Sequence, residues 1–286
     1  MRTRQLGTEG PYVSAVGLGC TAFSRLEDDD VPIAVIRSAL DHGVTFFDTA
    51  DVYDDGHNEE ILGRALRRHR SEVTLASKVG LVPDPVRADA SPLHIETAID
   101  ASLYRLGDDV VDLYYLHRVD PRIPLAETWG AMADLVEKGK VRQLGLCEVT
   151  VAQAEEADAI HPVAAIQSEF SLWRRDPLET GVVDWCRDHG AAFVPYAPLG
   201  RGPLTGAVTA SDGPAAPNLL GQVREVAGRY RATPAQVAIA WALAQGEHVI
   251  PIPGTRHRRY LQENVGATLL TLEPDDLRAL EPLLNR

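Results

Sequence analysis

Val44-Thr45-Phe46-Phe47-Asp48-Thr49-Ala50-Asp51-Val52-Tyr53 is an apolar β-type run that breaks off into polar residues, and the pattern recurs downstream. Val73-Thr74-Leu75-Ala76-Ser77 runs into Lys78, and Val111-Asp112-Leu113-Tyr114-Tyr115-Leu116 runs into His117. Strands of this composition are buried, and an unpaired charge among them is costly. Consecutive strands therefore deliver Asp48, Lys78 and His117 to one end of a sheet, with Tyr53 in the loop after the first. One such residue is an ordinary strand terminator, whereas four that converge point to chemistry.

Working outward, β-type runs begin near Val13, Val44, Val73, Val111, Val141, Val163, Ala192 and His248. Between them Ile33/Ile36/Leu40, Ile95/Ile99/Leu103/Leu106 and Val237/Trp241/Ala244 recur at helical spacing, so each segment carries one apolar stripe. Such alternation implies parallel strands joined by right-handed crossovers. Eight units in 286 residues fit a (β/α)8 TIM barrel of about 250 residues better than an open doubly wound sheet. A barrel also gathers its strand C-termini into one ring, which accounts for the convergent polar residues. No composition shift or linker divides the chain, so residues 1–286 are expected to form a single barrel domain, with Thr209-Ala210-Ser211-Asp212-Gly213-Pro214-Ala215-Ala216-Pro217 as a surface loop.

Lys plus Arg number 28 against 41 Asp plus Glu, a net charge of −13, which disfavours binding to nucleic acid or to an anionic membrane surface. A small-molecule partner is the better expectation. Charges interrupt every apolar run before the ~20 residues of a membrane helix, and Met1-Arg2-Thr3-Arg4-Gln5 leads into no apolar signal segment. The chain reads as soluble and cytoplasmic. Cys20, Cys147 and Cys186 are odd in number and far apart, which indicates neither a disulfide framework nor a metal cluster. Composition leaves the oligomeric state open.

A series of motifs then carries a resemblance over nearly the whole length. These are Gly17-Leu18-Gly19, Phe47-Asp48-Thr49-Ala50-Asp51-Val52-Tyr53 with Asn58-Glu59-Glu60-Ile61-Leu62-Gly63, Ser77-Lys78, Asp112-Leu113-Tyr114-Tyr115-Leu116-His117, Gln167-Ser168-Glu169-Phe170-Ser171, Pro195-Tyr196-Ala197-Pro198-Leu199-Gly200 and Ile252-Pro253-Gly254-Thr255. In this order they resemble the aldo-keto reductase superfamily, most closely its compact bacterial and plant branch of auxin-induced-protein-like and pyridoxal-reductase-like members.

Reducing an aldehyde or ketone needs a hydride at carbon and a proton at oxygen, hence an acid usable near neutral pH. Tyr53 is the natural donor; its phenol has an ordinary pKa near ~10, which a neighbouring Lys78 ammonium lowers. Asp48 would pair with Lys78, since a buried ammonium needs a partner, and His117 would orient the substrate oxygen. The resemblance assigns the same roles to these positions. A non-catalytic nicotinamide-binding regulatory or scaffold subunit is the rival on the same fold, and a phosphate-substrate barrel enzyme is a second; the complete set of Asp48, Tyr53, Lys78 and His117 argues for catalysis.

No Gly-x-Gly-x-x-Gly follows the first strand, so a Rossmann half is not supported. The resemblance implies instead a nicotinamide over the barrel mouth, stacked on Tyr196 and held through its carboxamide by Gln167, with Gly19, Cys20 and Thr21 also lining the cofactor. Ala197, Pro198 and the run Leu199-Gly200-Arg201-Gly202 would follow the pyrophosphate, small residues permitting close approach and Arg201 adding charge. The adenosine end would fall on Pro253, Gly254, Thr255 and Arg256, with Glu263 and Asn264. Thr255 can cap the last barrel helix, and the arginines at 256, 258 and 259 suit a 2′-phosphate, with Arg256 the best ligand. NADPH is the expected cofactor and NADH the alternative. Most relatives carry Ser-Asn where this chain has Cys147-Glu148, and a thiol is the weaker hydrogen-bond partner; Glu148 occurs in the resembled branch and can contact the amide. The loops after Thr21 and between Gly206 and Leu219 are short for that branch, which obscures the substrate and favours fast cofactor exchange.

Overall fold

The short runs at the N-terminus form an antiparallel hairpin, β1 (Thr3–Gln5) with β2 (Tyr12–Ser14), in the computed structural model, which describes residues 1–26, 28–83, 86–205 and 217–281. Parallel strands follow: β3 (Leu18–Gly19), β4 (Phe46–Asp48) and β5 (Thr74–Val79), then, after a small hairpin of β6 (Leu81–Val82) and β7 (Arg87–Ala88), β8 (Val111–Leu116), β9 (Val141–Cys147), β10 (Val163–Glu169) and β11 (Ala192–Tyr196). They pair in the order β11-β10-β9-β8-β5-β4-β3.

Residues 248–252 fill the gap between the two edges. Phe193 N donates to His248 O and Ile250 N to Phe193 O, both at 2.8 Å, and Ile252 N to Pro195 O at 3.0 Å; across the gap Gly17 N donates to Pro251 O at 3.0 Å. Pro251 and Pro253 have no N–H to return, so this eighth position makes one bridge, Phe193 with Val249, rather than a full ladder. The result is a nearly closed (β/α)8 barrel.

The run at Val13 is a correction to the expected strand order. Tyr12–Ser14 belongs to the hairpin, and the two-residue β3 is the first barrel strand. Leu6 and Val13 instead join Phe46, Ala76, Leu113, Tyr115, Ala165, Val194 and Ile250 inside the barrel, closing its floor. Periodicity alone does not separate a hairpin strand from a barrel strand.

The outer ring consists of α1 (Asp30–Asp41), α2 (His57–Leu66), α3 (Pro92–Leu106), α4 (Leu125–Glu137), α5 (Val151–Asp158), the one-turn α6 (Asp176–Glu179), α7 (Val182–His189), α8 (Pro217–Tyr230), α9 (Pro234–Leu243), α10 (Arg258–Gly266) and α11 (Pro274–Leu280). Their starts are written locally. Ser91 accepts from His94 N before Pro92, and Thr150/Gln153 and Thr233/Gln236 form reciprocal capping boxes. α9 is buried on every side, as its uniformly apolar sequence requires.

Side chains alternate across each strand. Phe47, Leu75, Val79, Tyr114, Leu116 and Ile166 face the helices, while Phe46, Ala76, Leu113, Tyr115, Cys147 and Ala165 face the interior. Counting onward by two puts Asp48, Lys78, His117 and Gln167 on the inward face at the C-terminal end. None of the helices among the described residues is long and apolar enough to cross a membrane. The surface loop expected at residues 209–217, and the shortened loop before Leu219, fall largely outside the described residues.

Candidate active site at the barrel mouth

Lys78 lies on the barrel axis side of β5 with no solvent exposure. Its Nζ donates to Asp48 Oδ1 at 2.5 Å, to the Thr49 carbonyl at 2.6 Å and to Tyr53 Oη at 3.4 Å. The second Asp48 oxygen accepts from Gln167 Nε2 at 2.8 Å, so both lone-pair faces of this buried carboxylate are used. Burial works against the Lys78 charge, but attraction to Asp48 overrides it and holds the pKa above its ordinary value. The ammonium is therefore kept protonated in a dry setting.

Tyr53 opens the turn Tyr53–Gly56, in which Asp54 and Asp55 both take left-handed backbone (φ 54°), a conformation Asp tolerates better than most residues. The turn aims the phenol back over Lys78, whose Nζ sits 4.9 Å from the ring centroid. Burial pushes the Tyr53 pKa up and Lys78 opposes it, and the net direction is upward. This differs from the depression expected from Lys78 alone, because desolvation of the phenolate outweighs one ammonium that is already shared with Asp48.

His117 packs edge-to-face on Tyr53, with ring centroids 5.9 Å apart at 81°. Burial, then the charges of Lys78 and Arg118, hold its pKa well below the ordinary value, so the imidazole is neutral. Its Nδ1 is buried without a hydrogen-bond partner. A neutral ring has one donor and one acceptor nitrogen, and here it has polar capacity to spare beside the Tyr53 phenol.

The residues expected to hold a cofactor divide. Tyr196 is half-buried at the end of β11 and Cys147 buried at the end of β9, its thiol pushed up to about 12 by burial. Glu148, in left-handed backbone, accepts from Glu169 N at 2.7 Å, and after burial its carboxylate is what pushes the Tyr196 phenol up. Arg201, which follows Ala197, Pro198, Leu199 and Gly200, forms a two-pronged ion pair with Glu169 at 2.8 and 3.1 Å rather than standing free. Gln167 is likewise engaged through its amide nitrogen. Gly19 and Gly254 allow strand ends to meet: a Cβ on Gly19 would lie 2.6 Å from Ile252 O, and one on Gly254 2.8 Å from Gly19 O. The Cys20 thiol is wholly buried toward the helices, whereas Thr21 is exposed.

At the far end, Thr255 does not cap α10. That helix starts at Arg258 with His257 in the cap position, and Thr255 Oγ1 instead accepts from His257 N at 3.1 Å; a two-residue turn within the loop outcompetes the longer reach. Arg256 donates to Ala22 O at 2.5 Å and Ser24 O at 3.4 Å, tying this turn to the segment after β3. Arg259 pairs with Glu263 at 3.1 Å, and Asn264 Nδ2 is buried with no partner. An open cleft of about 620 Å3 runs between α1 and this turn, lined by Asp30, Ala34, Arg256, Arg258, Arg259 and Gln262.

Sequence reading missed a second polar cluster on the helix side of the same strands. Glu59, fully buried on α2, accepts from Ser77 Oγ at 2.5 Å and pairs with Arg105 on α3 at 2.6 Å. Asp51 faces it with Oδ1 unpartnered. The available signal was parity: Ser77, one step from inward Lys78, has to point outward.

A sequence model described as the Aldo/keto reductase family matches residues 15–285. A soybean (Glycine max) protein named probable aldo-keto reductase 1 is 39% identical, with 96% of this chain and 87% of that protein aligned, and an aldo-keto reductase of Strobilurus tenacellus is 38% identical over 98% and 91%. The solved glycerol dehydrogenase of Gluconobacter oxydans superposes with a TM-score of 0.90 at 27% identity, covering 99% of this chain and 94% of that one. With a family match over almost its full length, close relatives in sequence and the same barrel in solved structures, the chain is an oxidoreductase of carbonyl compounds and belongs to the aldo/keto reductase family.

Proposed function

We propose that the protein is an NADPH-dependent reductase of aldehydes or ketones in which Tyr53 donates the proton, assisted by Lys78, Asp48 and His117, and that NADH serves less well. The observation that carries this reading is the Lys78 ammonium held between Asp48 Oδ1 and Tyr53 Oη beside a neutral His117. Burying an ion pair contributes little net stability, so a binding-only subunit would gain nothing from it. We read residues 1–286 as one cytoplasmic barrel unit acting on a small carbonyl compound.

The side chains fit a nicotinamide dinucleotide. Among the buried polar atoms without partners are His117 Nδ1 at the mouth and Asn264 Nδ2 at the far end, and such atoms call for a ligand or water. Tyr196 offers a half-buried aromatic face at the end of β11, Glu148 an exposed carboxylate, and Arg256 and Arg258 line the distal cleft. When bound, the dinucleotide supplies a hydride to the carbonyl carbon or accepts one in reverse.

The chain's own residues manage the oxygen. His117 and Tyr53 orient it by hydrogen bonds. As negative charge develops there, the Tyr53 hydroxyl releases its proton to form the alcohol O–H, and Lys78 stabilises the phenolate left behind. Asp48 keeps Lys78 in place, while Gln167 keeps Asp48 from turning. Solvent then returns a proton to Tyr53. Absorbance of NADPH followed with a panel of aldehydes and ketones tests the reading; no oxidation with any of them would reject it.

Cofactor choice is a separate test. Arg256→Ala should weaken NADPH binding by about 1.5–3 kcal/mol, the range of a charge-assisted contact, and spare NADH. An equal loss for both in a fluorescence titration would assign Arg256 only its bonds to Ala22 and Ser24.

A further inference from the structure

Arg118 follows His117 directly, on the rim of the mouth, and is half-buried. Its Nη1 donates to the His117 carbonyl at 2.5 Å, and among the described residues the rest of the guanidinium fork has no protein acceptor. Three other cations near the mouth are matched: Lys78 with Asp48, Arg201 with Glu169, Arg122 with Asp120. Glu148 accepts from Glu169 N. Among the described residues no carboxylate forms an ion pair with Arg118. Its charge acts on His117, Cys147 and Tyr196, at the C-terminal ends of β8, β9 and β11, favouring the lower pKa at each.

A partly desolvated guanidinium without a counter-charge is an unfavourable arrangement that a bound anion relieves. We propose that Arg118 binds the carboxylate of the substrate, and that the preferred substrates are aldehydes or ketones carrying a carboxylate on the side of the carbonyl remote from the hydride donor. The planar fork matches a carboxylate through two parallel hydrogen bonds. With His117 on the carbonyl oxygen and Arg118 one residue on, the two groups fix the substrate at both ends. In a chain of net charge −13, such a local positive site is also what admits an anion to the mouth. This inference rests on the carbonyl reductase reading above and sharpens its substrate class.

The test pairs benzaldehyde with para-carboxybenzaldehyde in the full chain with NADPH. Wild type should show the higher kcat/KM for the carboxylated aldehyde. Arg118→Gln should lower the carboxylated-to-plain ratio by roughly 10–100-fold, through KM, the span of a charge-assisted contact, and Arg118→Lys should restore part of it. A wild-type ratio of one, or an equal loss for both aldehydes in Arg118→Gln, overturns the proposal. Benzoate binding to the NADP+-loaded protein, read by thermal shift, reports on the anion site without turnover. Binding that disappears in Arg118→Gln supports the site even where reduction fails, in which case only the reductase reading falls; no binding by wild type overturns the site.

Discussion

Tyr53, Lys78 and Asp48 form a chain of contacts in which each residue has a different failure. Tyr53→Phe keeps the ring that packs on His117 and removes only the acid; turnover should fall by roughly 10²–10⁴, while cofactor affinity measured by fluorescence quenching stays near wild type. Lys78→Met leaves Asp48 buried and uncompensated, so it should cost about 3–5 kcal/mol in chemical denaturation as well as activity. Asp51 behaves differently. Burial, then the neighbouring Glu59, raises its carboxyl from 3.8 to about 7, with Lys78 and Arg105 opposing. The fold therefore favours the neutral acid: its contribution is fully present below about pH 4 and is lost as pH rises through about 7. Asp51→Asn should remove that dependence, so denaturation at pH 4 and pH 8 should show the variant gaining on wild type at the higher pH. A constant difference between the two proteins would mean Asp51 is hydrated in the fold.

At the scale of elements, helix α2 meets α3 where Gly63 passes Leu106. A Cβ on Gly63 would sit 2.3 Å from the Leu106 carbonyl oxygen, with backbone rather than a flexible side chain in the way. Helix propensity alone would make Gly63→Ala stabilising by about 1 kcal/mol. The packing argument gives the opposite sign, a loss of about 1–3 kcal/mol, and a thermal melt decides between them. Because α2 also carries Glu59 and follows the Tyr53 turn, part of that loss should appear as reduced turnover. The elements themselves were legible in advance wherever they were long and periodic: α1, α3, α9, β5, β8 and β9 lie where the apolar spacing put them. The first barrel strand was not, since β3 has two residues and exists only because its neighbours hold it; the run read from His248 does take the last position, but prolines limit it to one bridge.

For the whole molecule, the barrel separates stability from chemistry by placing them at opposite ends. Arg4 on the floor hairpin donates to the carbonyls of Leu243, Gly246 and Val249, which have few other partners there. Arg4→Met should cost about 1–3 kcal/mol from the orphaned carbonyls and lower Tm, with kcat unchanged at a temperature where the variant is folded; a selective loss of kcat would show the floor and the mouth to be coupled. The amino-acid sequence by itself determined the eightfold alternation and, through the strict two-residue period of strands, that Asp48, Lys78, His117, Cys147 and Gln167 share the inward face at one end. Those properties are local, each written within a few residues of chain. Tertiary structure alone decided which partner each side chain takes: Gln167 on Asp48, Arg201 on Glu169, Thr255 on its own loop, and burial outweighing Lys78 at the Tyr53 phenol. Such choices compare the energies of groups brought together from distant segments, and desolvation depends on everything packed around a group, so no window of sequence contains the terms that settle them.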